Sequence, residues 1–238
     1  DQHLEHWSPI NARWTQGKGF RQYVAYLDGS QDPWWTQHYA QSGKVSRVGR
    51  VMPSMSRLLL CGGAGTPLLV ETYAGQASIK KQLHGILERV DEVLGEEGEL
   101  GRLLVVDAEL MSVKLFEALE AEGRQFITVL KGAVLRNLNF EPTSEAVGYR
   151  ERDTLRDGIV DLKHPDKTKG SYRVRVVEMV RQDSRHPTPT YFATNAPVED
   201  MDVVTVATAY LERWPHNEQV FRRARHGART KGFSRSVV

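Results

Sequence analysis

Arg102-Leu103-Leu104-Val105-Val106-Asp107 is a short, continuous apolar run that ends on an acid. Runs of this kind form central strands buried on both faces. Ser112 then reads as a helix cap, with Leu115, Phe116 and Leu119 facing inward up to Glu122 and Gly123 as the stop. Gln125 to Leu130 is a second buried-type strand. Strand, helix and strand in this order argue a β-α-β unit with helices against a sheet.

Working upstream, Ile79 to about Leu94 places Leu83, Ile86, Leu87, Val90, Val93 and Leu94 on one helical face, stopped by Gly95 and Gly98. Before it, Arg57–Leu60 and Pro67–Tyr73 flank Gly62-Gly63-Ala64-Gly65, a hairpin signal. That glycine-rich loop leads into a strand, not a helix, so it reads as a turn more than a phosphate cradle. Arg21-Gln22-Tyr23-Val24-Ala25-Tyr26-Leu27-Asp28 is aromatic and β-branched, hence a strand, with turn formers from Asp28-Gly29-Ser30 to Asp32-Pro33 ending it. Right-handed crossovers would set the Leu103–Asp107 strand beside this first one.

Downstream, residues 131–196 change character. Thr154–Leu162, Ser171–Arg181 and Thr190–Thr194 read as strands separated by His164-Pro165-Asp166 and His186-Pro187 turns. A helical run is expected from Pro197-Val198-Glu199-Asp200 through Val203, Val206, Ala207 and Tyr210. Pro215 interrupts it and can open a second helix to about Arg225. The expected division is a lead-in at 1–20, a core at 21–130, a β-rich insertion at 131–196, and helices with a basic tail at 197–238.

The 238 residues, 40% of them hydrophobic, are enough for a sizeable core. No apolar stretch nears the ~20 residues of a membrane span. The polar start Asp1-Gln2-His3 suggests a fragment without a signal peptide. The single cysteine, Cys61, excludes a disulfide framework and points to a reducing compartment. Net charge is only +2, but Arg213, Arg222, Arg223, Arg225, Arg229, Lys231 and Arg235 face one acid, Glu218, in the tail. Such a stripe suits a polyanion, or is a solvated tail.

Two acids, Asp28 and Asp107, fall where strands run out. If the strands are neighbours, both emerge at the sheet edge where α/β folds bind ligands. The plainer reading of each is a turn residue or helix N-cap. A third acid, Glu218, closes Tyr210-Leu211-Glu212-Arg213-Trp214-Pro215-His216-Asn217-Glu218 and sits in the first turn of the expected last helix, with Arg222 four residues on.

These residues together resemble the DDE transposases of the insertion-sequence class 4 type. In that family the first acid lies on the first strand, as in Tyr26-Leu27-Asp28-Gly29. The second ends the fourth strand, as in Leu104-Val105-Val106-Asp107. The third follows a Tyr-x-x-Arg signature, as in Tyr210 and Arg213, and a β-rich insertion separates the second and third acids. The resemblance covers roughly residues 20–227. It departs in having four residues, Trp214 to Asn217, between Arg and Glu where three are usual, and Arg225 where a lysine is usual.

The resemblance implies an α/β, ribonuclease-H-like mixed sheet flanked by helices. It implies catalysis and metal binding by Asp28, Asp107 and Glu218, with two Mg²⁺ ions (Mn²⁺ substituting), Asp28 bridging both. It also implies that Tyr210, Arg213, Arg222, Arg223 and Arg225 hold DNA phosphates. The partners implied are double-stranded DNA, as transposon ends and target, and a second copy of the chain in a homodimer. No membrane is involved, and the location implied is the bacterial cytoplasm, at the nucleoid. Oxygen-only acids with no cysteine fit Mg²⁺, and no histidine pair has helical zinc spacing. Glu109, His216, Asp32 and Glu71 are lesser candidates, and Trp34 and Trp35 could stack on bases. Two other functions fit the same residues: a DNA-binding remnant without catalysis, and a metal-dependent nuclease without joining activity.

Overall fold

Val24 to Leu27 are fully buried and begin β1 (Val24–Pro33). The computed structural model describes residues 19–34, 41–46, 48–75, 77–94, 101–181 and 189–218. β1 does not stop at Asp28-Gly29. It runs on to Pro33 because β3 (Arg50–Gly62) offers an antiparallel partner throughout, with Asp28 opposite Leu59 and Pro33 opposite Ser54. The ladder overrides local turn propensity here. β3 also pairs with β2 (Ser42–Val45) through Arg50–Pro53 and with β4 (Pro67–Ala74) through Met55–Cys61. The glycine-rich loop is therefore the β3–β4 hairpin turn, as expected.

Helix α1 (Ile79–Leu94) spans the range the periodicity predicts, and Leu83, Ile86 and Leu87 are buried. The side chains of Val90, Val93 and Leu94 lie outside the described residues. These elements belong to one compact unit, which takes the chain up to Gly101 and again from Arg213.

The other unit runs from Arg102 to Glu212. Its first strand, β5 (Leu103–Val106), is buried at every position and parallel to β6 (Gln125–Val129). Between them α2 (Val113–Ala121) buries Val113, Phe116 and Leu119. The Phe116 ring stacks on Phe126 with centroids 4.2 Å apart, seating the helix on the sheet. Ser112 takes the N-cap position, but its hydroxyl makes no cap bond. At the far end Gly123 adopts φ +69, and the Gly123 and Arg124 amides donate to the Glu120 and Leu119 carbonyls. This Schellman arrangement is why the helix stops at a glycine.

A short helix, α3 (Ala133–Arg136), precedes five strands: β7 (Phe140–Pro142), β8 (Val147–Tyr149), β9 (Asp153–Lys163), β10 (Ser171–Arg181) and β11 (Thr190–Thr194). β11 pairs antiparallel with β6, so within this unit the order is β5-β6-β11-β10-β9-β7, with β8 also on β9. The sheet is thus mixed: one parallel pair continued by an antiparallel meander, in a mixed α/β chain.

Arg175 on β10 is the main polar tie inside this unit. It donates from Nε to both Asp157 carboxylate oxygens at 3.0 Å and from Nη2 to Oδ2 at 2.8 Å. Its Nη1 reaches the Ala196 and Met201 carbonyls, each at 2.8 Å. Those carbonyls belong to the link into α4 (Val203–Arg213). The helical run expected from Pro197 is a turn there, with the Met201 amide on the Pro197 carbonyl. The helix begins only after Asp202, whose Oδ1 accepts the Thr205 amide at 2.7 Å, an N-cap.

Candidate functional site

Asp28 lies mid-strand, on the face of β1 that also carries Tyr26, Ser30 and Asp32. Its side chain is 15% exposed, and its Oδ2 lies 3.4 Å from Nη1 of Arg213, itself 10% exposed. A carboxylate in so dry a setting is costly without a cation beside it. Oδ1 accepts the Gly29 amide at 2.9 Å. Cys61 lies opposite Tyr26. Burial pushes its thiol up to about 12, and the negative charge of Asp28 adds to the rise.

Arg213 ends α4, and a π-helical turn, Trp214–Glu218, follows without a break. Among the described residues the chain therefore does not break at Pro215, and the rest of the helix expected to about Arg225 lies outside them. Proline has no amide to donate, and a widened turn absorbs the missing bond. The turn sits against β1 and the β3–β4 loop. The His216 ring lies 5.4 Å from that of Tyr26. Its Nδ1 approaches Gly65 so closely that a Cβ there would be 2.7 Å away, and Gly65 has φ +75. Glu218 is the last residue of this turn; its side chain falls outside the described residues, as do Arg222, Arg223 and Arg225.

In the other unit Asp107 follows β5 directly and precedes a 3₁₀ turn, Ala108–Leu110. It holds the N-cap position but makes no side-chain cap bond, so capping does not occupy its carboxylate. Instead Oδ1 accepts from the Tyr210 hydroxyl and from Lys131 Nζ, each at 3.2 Å. The Thr128 hydroxyl donates to the Asp107 carbonyl at 2.9 Å, fixing the backbone. The Tyr210 ring packs on Phe192 at 4.9 Å, which steadies the hydroxyl.

Each member of the Tyr210-x-x-Arg213 pair thus meets one candidate acid inside its own unit: Tyr210 meets Asp107, and Arg213 meets Asp28. Sequence reasoning did not single out Lys131 or Thr128. The available signal was position, since Asp107 comes directly after β5 and Lys131 two residues after β6, and parallel neighbours deliver their ends to one edge. Of the lesser acids, Asp32 pairs with Arg57 at 3.1 Å, and Glu71 pairs with Arg89 at 2.5 Å and accepts from Tyr73. Both have structural partners. Trp34 is exposed, and Trp35 lies outside the described residues.

Taken one at a time, each carboxylate offers the oxygen donors that a hard cation prefers. Asp28 and Asp107 offer only oxygen, are partly exposed, and each already holds a nitrogen cation within 3.4 Å. Among the described residues no group of three or more His, Cys, Asp or Glu is gathered to hold a metal. No described helix is long and apolar enough to cross a membrane.

No protein-family model matches the chain, and no curated protein matches it by sequence. Among solved structures, the chain is similar to a piggyBac transposase in a synaptic complex with hairpin DNA, at 10% identity and a TM-score of 0.42. The match covers 85% of this chain and 40% of that one. A likeness this distant leaves the function to be argued from the residues of this chain alone.

Proposed function

We propose that this chain is the catalytic core of a DNA transposase, with Asp28, Asp107 and Glu218 as its acids. The observation that carries the reading is that Tyr210 and Arg213, spaced as a transposase signature, bind Asp107 and Asp28 respectively. In an unrelated α/β domain nothing requires one tyrosine–arginine pair to serve two acids so far apart in sequence.

In this reading the three carboxylates hold two Mg²⁺ ions, which supply the charge neutralisation and in-line alignment that a phosphodiester needs. Arg213 offsets the charge of Asp28 while the site is empty of substrate. Tyr210 sets the orientation of the Asp107 carboxylate. Arg222, Arg223 and Arg225 meet backbone phosphates, positioning DNA without reading its sequence. Water first attacks the phosphorus at a transposon end and frees a 3′-hydroxyl. That hydroxyl then attacks a target phosphodiester, exchanging one ester for another with no ATP. Transposon ends, target DNA and a second copy of the chain are the partners in this account.

The test is nicking of supercoiled plasmid with Mg²⁺ or Mn²⁺. The expected result is metal-dependent nicking that Asp28→Asn, Asp107→Asn and Glu218→Gln each reduce at least about 100-fold, a loss typical of removing one essential electrostatic group. Nicking by all three variants at the parent rate would overturn the assignment. Adding a precut 3′-end to the same reaction separates joining from cutting alone.

A further inference from the structure

We infer that Lys131 is the resident cation of Asp107, which a divalent metal must displace before the site can act. The inference rests on the reading above, in which Asp107 is a metal ligand. Among the described residues three groups hold Asp107, and they differ in how easily they can leave. Thr128 grips the backbone carbonyl from a buried strand position. Tyr210 is anchored by its ring on Phe192. Lys131 is different: its side chain is 59% exposed, it ends in a flexible four-carbon stem, and it reaches Asp107 Oδ1 at 3.2 Å. It is the partner whose departure costs least.

A lysine ammonium is a compact point charge, and so is a hydrated divalent ion. The two therefore compete for the same oxygen, and the dication has twice the charge. Lys131 keeps Asp107 oriented and neutralised before metal arrives, at the expense of metal affinity. Once displaced, its ammonium remains at the C-terminal edge of β5 and β6, where it can meet a phosphate of incoming DNA. This makes Lys131 a positioning residue acting through Asp107.

The experiment is a Mn²⁺ titration of the full chain, reading free Mn²⁺ by electron paramagnetic resonance, with no DNA and no turnover. Removing an exposed ion-pair partner is worth about a two- to five-fold change in affinity. Lys131→Gln and Lys131→Met should both tighten Mn²⁺ binding by that factor, while Lys131→Arg keeps the parent affinity. A purely structural lysine would weaken binding or leave it unchanged when lost. Asp107→Asn serves as the reference. If Asp107→Asn loses binding and both neutral Lys131 variants match the parent or bind more weakly, the inference fails and the site assignment stands. If Asp107→Asn binds Mn²⁺ like the parent, the site assignment itself fails.

Discussion

Arg175→Met removes the tie that links β10 and β9 to the start of α4. The guanidinium and the Asp157 carboxylate are 13% and 6% exposed, so solvent does little to soften the loss. The change strips Asp157 of the Arg175 guanidinium, leaving it the Gly158 amide at 3.1 Å. Breaking a buried pair from one side costs about 3–5 kcal/mol, because a charge stays behind uncompensated. The Ala196 and Met201 carbonyls also lose a donor each, at about 1 kcal/mol apiece where water cannot replace it. A total near 6 kcal/mol, with a urea dependence of about 2 kcal/mol/M, lowers the unfolding midpoint by about 3 M. The assay is urea unfolding followed by far-ultraviolet circular dichroism. Pairing the change with Asp157→Leu should restore much of the loss, since the double variant leaves no stranded charge. A midpoint shift under about 0.5 M for the single variant, or a double variant worse than the sum of the singles, would refute this reasoning.

Further outcomes follow from single contacts. Tyr210→Phe keeps the ring on Phe192 but loses the hydroxyl on Asp107, so stability should fall by no more than about 0.5–1.5 kcal/mol while plasmid nicking drops far more. Gly65→Ala forces a left-handed residue with its Cβ against His216, and thermal melting should show a loss of at least about 1 kcal/mol. The Cys61 thiol, pushed up to about 12 by burial and Asp28, should resist a thiol reagent in the native protein and react at once in urea. His164 and Lys169 hold the Glu117 carboxyl below its ordinary range, through hydrogen bonds and charge. Its folded pKa is depressed, so its contribution is full above the unfolded pKa and is lost as pH falls through the folded one. Glu117→Gln should therefore flatten the acid limb of the stability–pH curve, read as melting temperature across that limb.

The β5-α2-β6 unit was legible because its signals are local: a continuous apolar run, a helical period and a glycine stop all agree. α1 was legible for the same reason. The continuation of β1 past Asp28 was not, because Asp28, Gly29 and Ser30 are turn formers and only the long β3 partner carries them into a ladder. β2 is four residues with glycine and lysine inside it, too short for any period to show. The turn at Pro215 looked like a helix break, since a π-helical turn leaves no mark in composition. At the candidate site, motif and position single out Asp28, Asp107, Tyr210 and Arg213. What spacing cannot carry is the pairing: that Tyr210 serves Asp107, that Arg213 serves Asp28, and that Lys131 stands on Asp107. Those contacts depend on tertiary neighbours.

The central claim is that three acids remote in sequence share divalent cations. Crystals of the chain grown with Mn²⁺, measured at the manganese absorption edge, test it most directly. The account predicts two anomalous peaks about 4 Å apart, as in two-metal phosphoryl-transfer sites, with Asp28, Asp107 and Glu218 as ligands. Peaks bound by other residues, or a Glu218 carboxylate remote from ions held by the two aspartates, would contradict it.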